Sequence, residues 1–270
     1  MSLYEDLRDL AVETARETGR MLVDERPAAG PDVVRTKSSP TDVVTQMDRA
    51  AEKMIIERIG AARPGDAFLG EEGGDQGAAD GAVRWVVDPI DGTVNYLYDL
   101  PDWAVSIAAE VAGRTVAAAI AMPRRGELYT AVEGGGARLH TASGVRDLRV
   151  NTGVPLERAL VATGFGYAAE RRAHQARVLT GVLPFVRDIR RGGSCCVDLC
   201  SLAAGRVDAY FERGVQAWDV AAGRLVVTEA GGRIGGLGGA ALGPEFALAA
   251  APELFDALQS LLVPLDPAHD

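Results

Sequence analysis

Apolar positions over residues 3–24 fall at Leu3, Leu7, Leu10, Ala11, Ala15, Met21 and Leu22, mostly three or four apart, with charged residues between them. This is the period of an amphipathic helix, and Pro27 stops it. The polar stretch PAAGPDVVRTKSSPTD (27–42) reads as a loop. A second helical stripe follows at Val43, Val44, Met47, Ala50, Met54, Ile55 and Ile59, and it closes near Gly60. Short apolar runs stopped by turn residues then predict strands at 67–70, 83–88, 103–111, 115–122 and 127–133, the last three spaced like an antiparallel meander. Beyond about residue 150 the pattern changes. Strands at 159–164, 186–190 and 207–212 alternate with helices at 168–183, 194–205 and 217–232, and 246–262 holds a final strand and helix. That alternation predicts an α/β fold of stacked α and β layers. No repeat or low-complexity linker divides the chain. Residues 1–270 therefore read as one unit, with subdomains of about 1–145 (two helices and an antiparallel sheet) and 146–270 (alternating α/β).

Composition narrows the classes. With 47% hydrophobic and 24% charged residues the 270-residue chain has ample material for a core. Its net charge of −10 opposes nucleic acid and anionic membranes. No apolar run approaches the ~18–20 residues of a membrane helix. The acidic, periodic N-terminus is unlike a signal peptide, so the expected location is the cytoplasm. Cys195, Cys196 and Cys200 are odd in number and crowded, which is no disulfide framework. With His140, His174 and His269 scattered they are no zinc site either, and they read as small buried hydrophobes on a helix.

Candidate chemistry concentrates in WVVDPIDGTVNY (85–96). A buried strand delivers Asp88 to its carboxyl end, the chain turns through Pro89, Ile90, Asp91 and Gly92, and Thr93 opens a short helical turn. Two carboxylates three apart, with the Ile90 carbonyl between them, offer oxygen ligands suited to a hard cation such as Mg²⁺. The Gly92 and Thr93 N–H groups offer donors to a phosphate oxygen. The same residues also read as a stiff hairpin with capping carboxylates. Glu71 and Glu72 sit where a strand runs into a glycine loop, equally a plain acidic loop tip. Asp219 stands at a helix start, where a capping carboxylate is favoured anyway. Yet Trp218 and the small Ala221, Ala222 and Gly223 imply a tightly packed first turn. Ser38, Ser39 and Ser194 have no recognisable His partner, which removes a serine triad.

Taken together, GEE (70–72), WVVDPIDGT (85–93) and WDVAAGRLVVTEAGG (218–232) resemble the signatures of the inositol monophosphatase family of Mg²⁺-dependent, lithium-sensitive phosphatases. RTKSSPTDVVTQMD (35–48) and IRRGGSCCVDLCSLAAGRVDAYFE (189–212) extend the resemblance over nearly the whole chain. TGFGYAAERRAHQA (163–176) is similar to the actinobacterial branch. The resemblance implies the αβαβα layered fold of that family and a homodimer, for which the apolar strands over 103–122 are candidates to lie near the interface. It implies two or three Mg²⁺ ions, with Mn²⁺ able to substitute, and inhibition by millimolar Li⁺.

By the same resemblance Glu71 would bind the first metal, with Glu72 supporting it. Asp88 would bridge two metals, Asp91 and Asp219 would complete the second site, and the Ile90 carbonyl would support the first. Asp48 and Thr93 would orient and help deprotonate the attacking water, and Lys37 would lie beside the active-site loop. Asp91, Gly92, Thr93, Gly193, Ser194, Cys195 and Glu212 would receive the substrate. A net charge of −10 also counts against a phosphorylated substrate, but two Mg²⁺ in the pocket would attract phosphate locally while the protein as a whole repels it. The implied function is hydrolysis of myo-inositol 1-phosphate and related monophosphates. Animal members carry threonine and alanine where this chain has Ser194 and Cys195, which leaves ring selectivity open. Val94 after DGT differs from the charged residue common in relatives acting on histidinol phosphate or nucleotide bisphosphates. The alternatives are a broader sugar-phosphate phosphatase, acting on fructose 1,6-bisphosphate or histidinol phosphate, and a metal-binding interaction protein without turnover.

Overall fold

The first helix, α1 (Leu3–Asp24), begins at a reciprocal cap in which Ser2 Oγ accepts the Glu5 N–H and Glu5 Oε2 accepts the Ser2 N–H. A computed structural model describes residues 2–37, 39–77 and 83–269; Ser38 lies outside them. The stretch read as a loop contains a strand, β1 (Val33–Thr36), paired antiparallel with β2 (Val43–Thr45). All four β1 residues are exposed, so no apolar alternation marks it. Val43 and Val44 consequently belong to β2 and not to the second helix. That helix, α2 (Gln46–Ala62), starts only after Thr45, whose hydroxyl caps the Met47 and Asp48 N–H groups.

Eight strands follow in one sheet: β3 (Ala67–Gly70), β4 (Gly74–Gln76), β5 (Arg84–Asp91), then, after the short helix α3 (Thr93–Leu97), β6 (Ala104–Val111), β7 (Arg114–Met122), β8 (Glu127–Val132), β9 (Gly136–Thr141) and β10 (Gly144–Asp147). Their order is β10-β9-β8-β7-β6-β5-β3-β4, antiparallel except for β3 beside β5. The second half forms β11 (Leu160–Thr163), α4 (Ala169–Val182), β12 (Asp188–Arg190), α5 (Cys195–Ala203), β13 (Ala209–Glu212), α6 (Ala217–Glu229), β14 (Arg233–Gly235), β15 (Ala247–Ala250) and α7 (Pro252–Leu262). Its five-stranded sheet runs β12-β11-β13-β15-β14. Strands β4, β10 and β14 escape the sequence pattern because they are short edge segments, and β9 because it has only Ala137 and Leu139 as buried apolar positions.

Period-two alternation sorts the core into layers. In β6 and β7, Val105, Ile107, Ala109, Ala117 and Ala119 face α1 and α2, while Ala104, Ala108, Ala118, Ile120 and Met122 face α5 and α6. The other side of the α5–α6 layer meets Ala162, Tyr210, Ala247 and Ala249 of the second sheet. That sheet's far face packs Val161, Ala209, Phe211 and Leu248 against α4 and α7. The stack is α1–α2, sheet, α5–α6, sheet, α4–α7, which is the αβαβα arrangement. Strands β6 and β7 are central, with 104–109 and 116–122 buried from both sides within this one chain, while the turn that joins them at 112–114 is exposed. Among the described residues no helix is long and apolar enough to cross a membrane.

Candidate active site

The carboxyl end of β5 does what its sequence implies. Pairing with β6 is regular up to Asp88↔Ser106 and resumes at Asp91↔Ala104, so Pro89 and Ile90 form a bulge between the two aspartates. Gly92 follows with φ 96°, where a Cβ would stand 3.1 Å from the Asp102 carbonyl and 3.2 Å from Ser194 Cβ, so only glycine fits. Thr93 then starts α3, its Oγ1 lying 3.1 Å from both Asp48 Oδ1 and the Ile90 carbonyl oxygen. Asp48 is in place because its other oxygen accepts the Thr45 N–H at 2.7 Å and the Thr45 hydroxyl at 2.6 Å. Asp91 Oδ2 accepts the Ser194 hydroxyl at 2.7 Å and the Cys196 N–H from the start of α5. Asp219, three residues into α6, accepts the Gln216 N–H at 2.6 Å.

These elements surround a cavity of about 590 Å³. Of the residues singled out from the sequence, Lys37, Glu71, Asp88, Asp91, Gly92, Thr93, Gly193, Ser194, Cys195, Glu212 and Asp219 line it. Asp48 stands behind Thr93, and the buried Ile90 presents only its carbonyl to Thr93. The two adjacent glutamates part company. Glu71 faces the cavity, whereas Glu72 points into a groove behind it, held by Arg35 at 2.8 Å and Lys37 at 2.6 Å. Lys37 also binds Glu71 at 2.8 Å. Burial alone would lower the pKa of its ammonium, but the two glutamates carry it above its ordinary value.

The charge balance of this cavity points to a cation. Burial drives the Asp88 carboxyl upward, and Glu71, Asp91 and Asp219 drive it further. Asp219 is raised by burial and by Asp91, and Asp91 by burial against the opposing bonds from Ser194 and Cys196. Among the described residues, no three acidic, His or Cys side chains already close around one point, since Glu71 is drawn onto Lys37. An all-oxygen set whose charges repel is the chemistry a hard divalent ion satisfies, so the residues fit such an ion.

At the far wall, Glu212 ends β13 and burial raises its carboxyl to about 7. Tyr210 donates to Glu212 Oε2 at 2.8 Å and lies 3.1 Å from Cys195 Sγ. The three cysteines are buried and free. The sequence reading missed three features here. Arg171, Arg191 and Arg213 also line the cavity. Asn95 ties α3 to the opposite half by donating to the Gly192 carbonyl at 2.9 Å and to Asp102 at 2.6 Å. Glu52, one turn after Asp48 on the same face of α2, accepts the Glu72 N–H at 2.9 Å. Only Glu52 had a signal in the sequence, its i+4 spacing from Asp48.

Known proteins are similar to this chain in sequence and fold. The family model described as the inositol monophosphatase family matches residues 3–263. An inositol-1-monophosphatase of Mycobacterium leprae is 48% identical over 247 residues, 87% of this chain and 83% of that protein. A relative from Escherichia coli K12, named Nus factor SuhB, is 42% identical over 226 residues, 83% of this chain and 82% of its own. The solved structure of Mycobacterium tuberculosis SuhB superposes with a TM-score of 0.83 at 41% identity, covering 98% of each chain. A match of this extent, on a chain with these layers and this carboxylate-lined cavity, establishes that the protein belongs to the inositol monophosphatase family.

Proposed function

We propose that the chain is a Mg²⁺-dependent phosphomonoesterase that hydrolyses inositol monophosphates, myo-inositol 1-phosphate first among them, as one catalytic unit whose site draws on both halves. The observation that carries the reading is the meeting of Glu71, Asp88, Asp91 and Asp219 on one cavity beside the Asp48–Thr93 pair. Glu71, Asp88, Asp91, Asp219 and the Ile90 carbonyl would hold two or three metal ions, with Glu72 and Lys37 steadying Glu71. Bound there, the ions lower the pKa of an attacking water and offset charge on the phosphoryl and leaving oxygens. The protein's own part is positioning and proton handling. Asp48, held from behind by Thr45 and raised to about 6, accepts the Thr93 hydroxyl hydrogen. The Thr93 oxygen is then left to accept from the water and point it in line. The Gly92 and Thr93 N–H groups meet phosphoryl oxygens. Asp91, Gly193, Ser194, Cys195 and Glu212 receive the ring. With one Glu212 oxygen engaged by Tyr210, the other accepts from ring hydroxyls.

Two other readings have an observation behind them. The cavity arginines suit a second phosphate, favouring a broader sugar-phosphate phosphatase. The name Nus factor on a 42% identical relative favours an interaction role without turnover. Initial rates on myo-inositol 1-phosphate, fructose 1,6-bisphosphate and histidinol phosphate at matched Mg²⁺ separate all three. The expected order places inositol 1-phosphate first by kcat/KM. Its ranking last would transfer the reading to the sugar phosphates, and no phosphate release from any would leave the interaction role.

A further inference from the structure

Glu52 is 4% exposed and lies on the face of α2 that also carries Asp48. It does not line the catalytic cavity; it borders the groove behind it. Its carboxylate is wrapped by the turn that bears Glu71. Oε2 accepts the Glu72 N–H at 2.9 Å, and the Gly73 N–H is also within reach. A Cβ at Gly70 would stand 2.5 Å from Glu52 Oε2, and one at Gly73 would stand 2.7 Å from Oε1. Gly70 and Gly73 therefore have a shared reason: they let the backbone close around one buried carboxylate. The turn is thus held on two sides. Arg35 and Lys37 grip its side chains, and Glu52 grips its backbone.

We propose that Glu52 is a positioning residue for the metal site: it fixes the 70–73 turn so that Glu71 faces the cavity, and so sets metal affinity without touching the ion. The proposal rests on the metal reading above. One helix then serves two parts of the reaction from adjacent turns, Asp48 reaching Thr93 and Glu52 reaching the Glu71 turn. A buried carboxylate accepting backbone N–H groups makes charge-assisted bonds stronger than neutral ones. A loop held this way keeps Glu71 in one place, and the ion need not order the turn as it binds. Outer partners of metal ligands typically change affinity by ~10–100-fold when removed.

The test is a Mn²⁺ titration followed by the electron paramagnetic resonance signal of the free ion, on the full chain without substrate, for wild type and Glu52→Gln. Glutamine keeps the shape, loses the charge and turns an NH₂ towards backbone N–H groups. We expect Mn²⁺ affinity to fall about 10-fold or more. Hydrogen exchange should accelerate over residues 67–77 alone, and kcat at saturating metal should be largely kept. Unchanged Mn²⁺ affinity in a folded Glu52→Gln protein overturns the proposal. So does exchange that rises evenly over the whole chain, which marks a merely structural residue. If Glu52→Gln does not fold, Gly70→Ala carries the same test, because the atoms its Cβ would meet are those of the Glu52 carboxylate, and unchanged affinity there is equally fatal. A wild-type protein that binds no Mn²⁺ overturns the metal reading and this one with it. Binding by wild type with no loss in the variants overturns the clamp alone.

Discussion

Replacing Asp91 with asparagine removes one negative charge from the cavity while leaving its local bonds in place, since the amide oxygen still accepts the Ser194 hydroxyl and the Cys196 N–H. In the metal-free protein that charge is unfavourable, because Asp91 raises both Asp88 and Asp219. The metal-free Asp91→Asn protein is therefore expected to melt no lower than wild type. Metal reverses the comparison. At a Mg²⁺ concentration about 100 times its dissociation constant, wild type gains about 2.7 kcal/mol by mass action. For a chain of this size, at about 2–4 °C per kcal/mol, that is a rise of roughly 5–10 °C in Tm. On the proposed assignment the variant lacks a metal ligand, so the rise should shrink to about 2 °C or less, and phosphate release from inositol 1-phosphate should fall ~10²-fold or more. Thermal melts with and without Mg²⁺, paired with a phosphate-release assay, measure both. A variant that keeps the Mg²⁺-induced rise and its turnover would refute the ligand assignment. A metal-free variant that melts several degrees lower would show that the charge supports the fold.

Two further outcomes follow from the same geometry. Asp48 sits at about 6 because burial outweighs the bonds from Thr45, so the folded protein holds this proton more tightly than the unfolded chain, where the value is ~3.9. Its contribution to stability is then fully present below about pH 4 and lost as pH rises through about 6. Asp48→Asn in metal-free protein should be more stable than wild type above pH 6, by up to about 3 kcal/mol, and no more stable below pH 4. Urea midpoints from pH 4 to 8 check this, and a variant less stable than wild type at pH 7.5 contradicts it. At Gly164 a Cβ would meet the Glu212 carboxylate at 2.1 Å. Gly164→Ala should displace Glu212, raising KM for inositol 1-phosphate about 10-fold or more through the lost hydroxyl contact and lowering kcat less. Steady-state kinetics decide it, an unchanged KM removing Glu212 from the ring site.

Much of the fold is legible in the chain because its causes are local. The 3–24 stripe becomes α1, and the alternation beyond residue 150 becomes the second sheet with its helices, each within a few residues of the expected bounds. The failures share a cause. Strand β1 is exposed throughout and β10 likewise, so neither carries an alternating pattern, and each exists because a neighbouring strand pairs with it. In the strands over 103–122 the sequence shows the apolar residues but not what covers them. Their apolar character is spent on two layers of the same chain, α1–α2 on one side and α5–α6 on the other.

The sequence by itself determined where carboxylates stand on their own elements. Thr45 with Asp48 and Gln216 with Asp219 are caps made within four residues, and the DPIDGT turn is shaped by its own proline and glycine. Interactions of that range act wherever the segment ends up. Only the tertiary structure decided what those groups face. Glu71 and Glu72 are chemically identical neighbours. That one looks into the cavity and the other into the groove depends on Arg35, Lys37 and Glu52, which arrive from β1, the end of its hairpin and α2. Asn95 reaching Gly192, 97 residues away, likewise joins the turn that carries Asp91 to the turn that carries Ser194. Such contacts are set by how layers pack, and packing is a property of the whole chain.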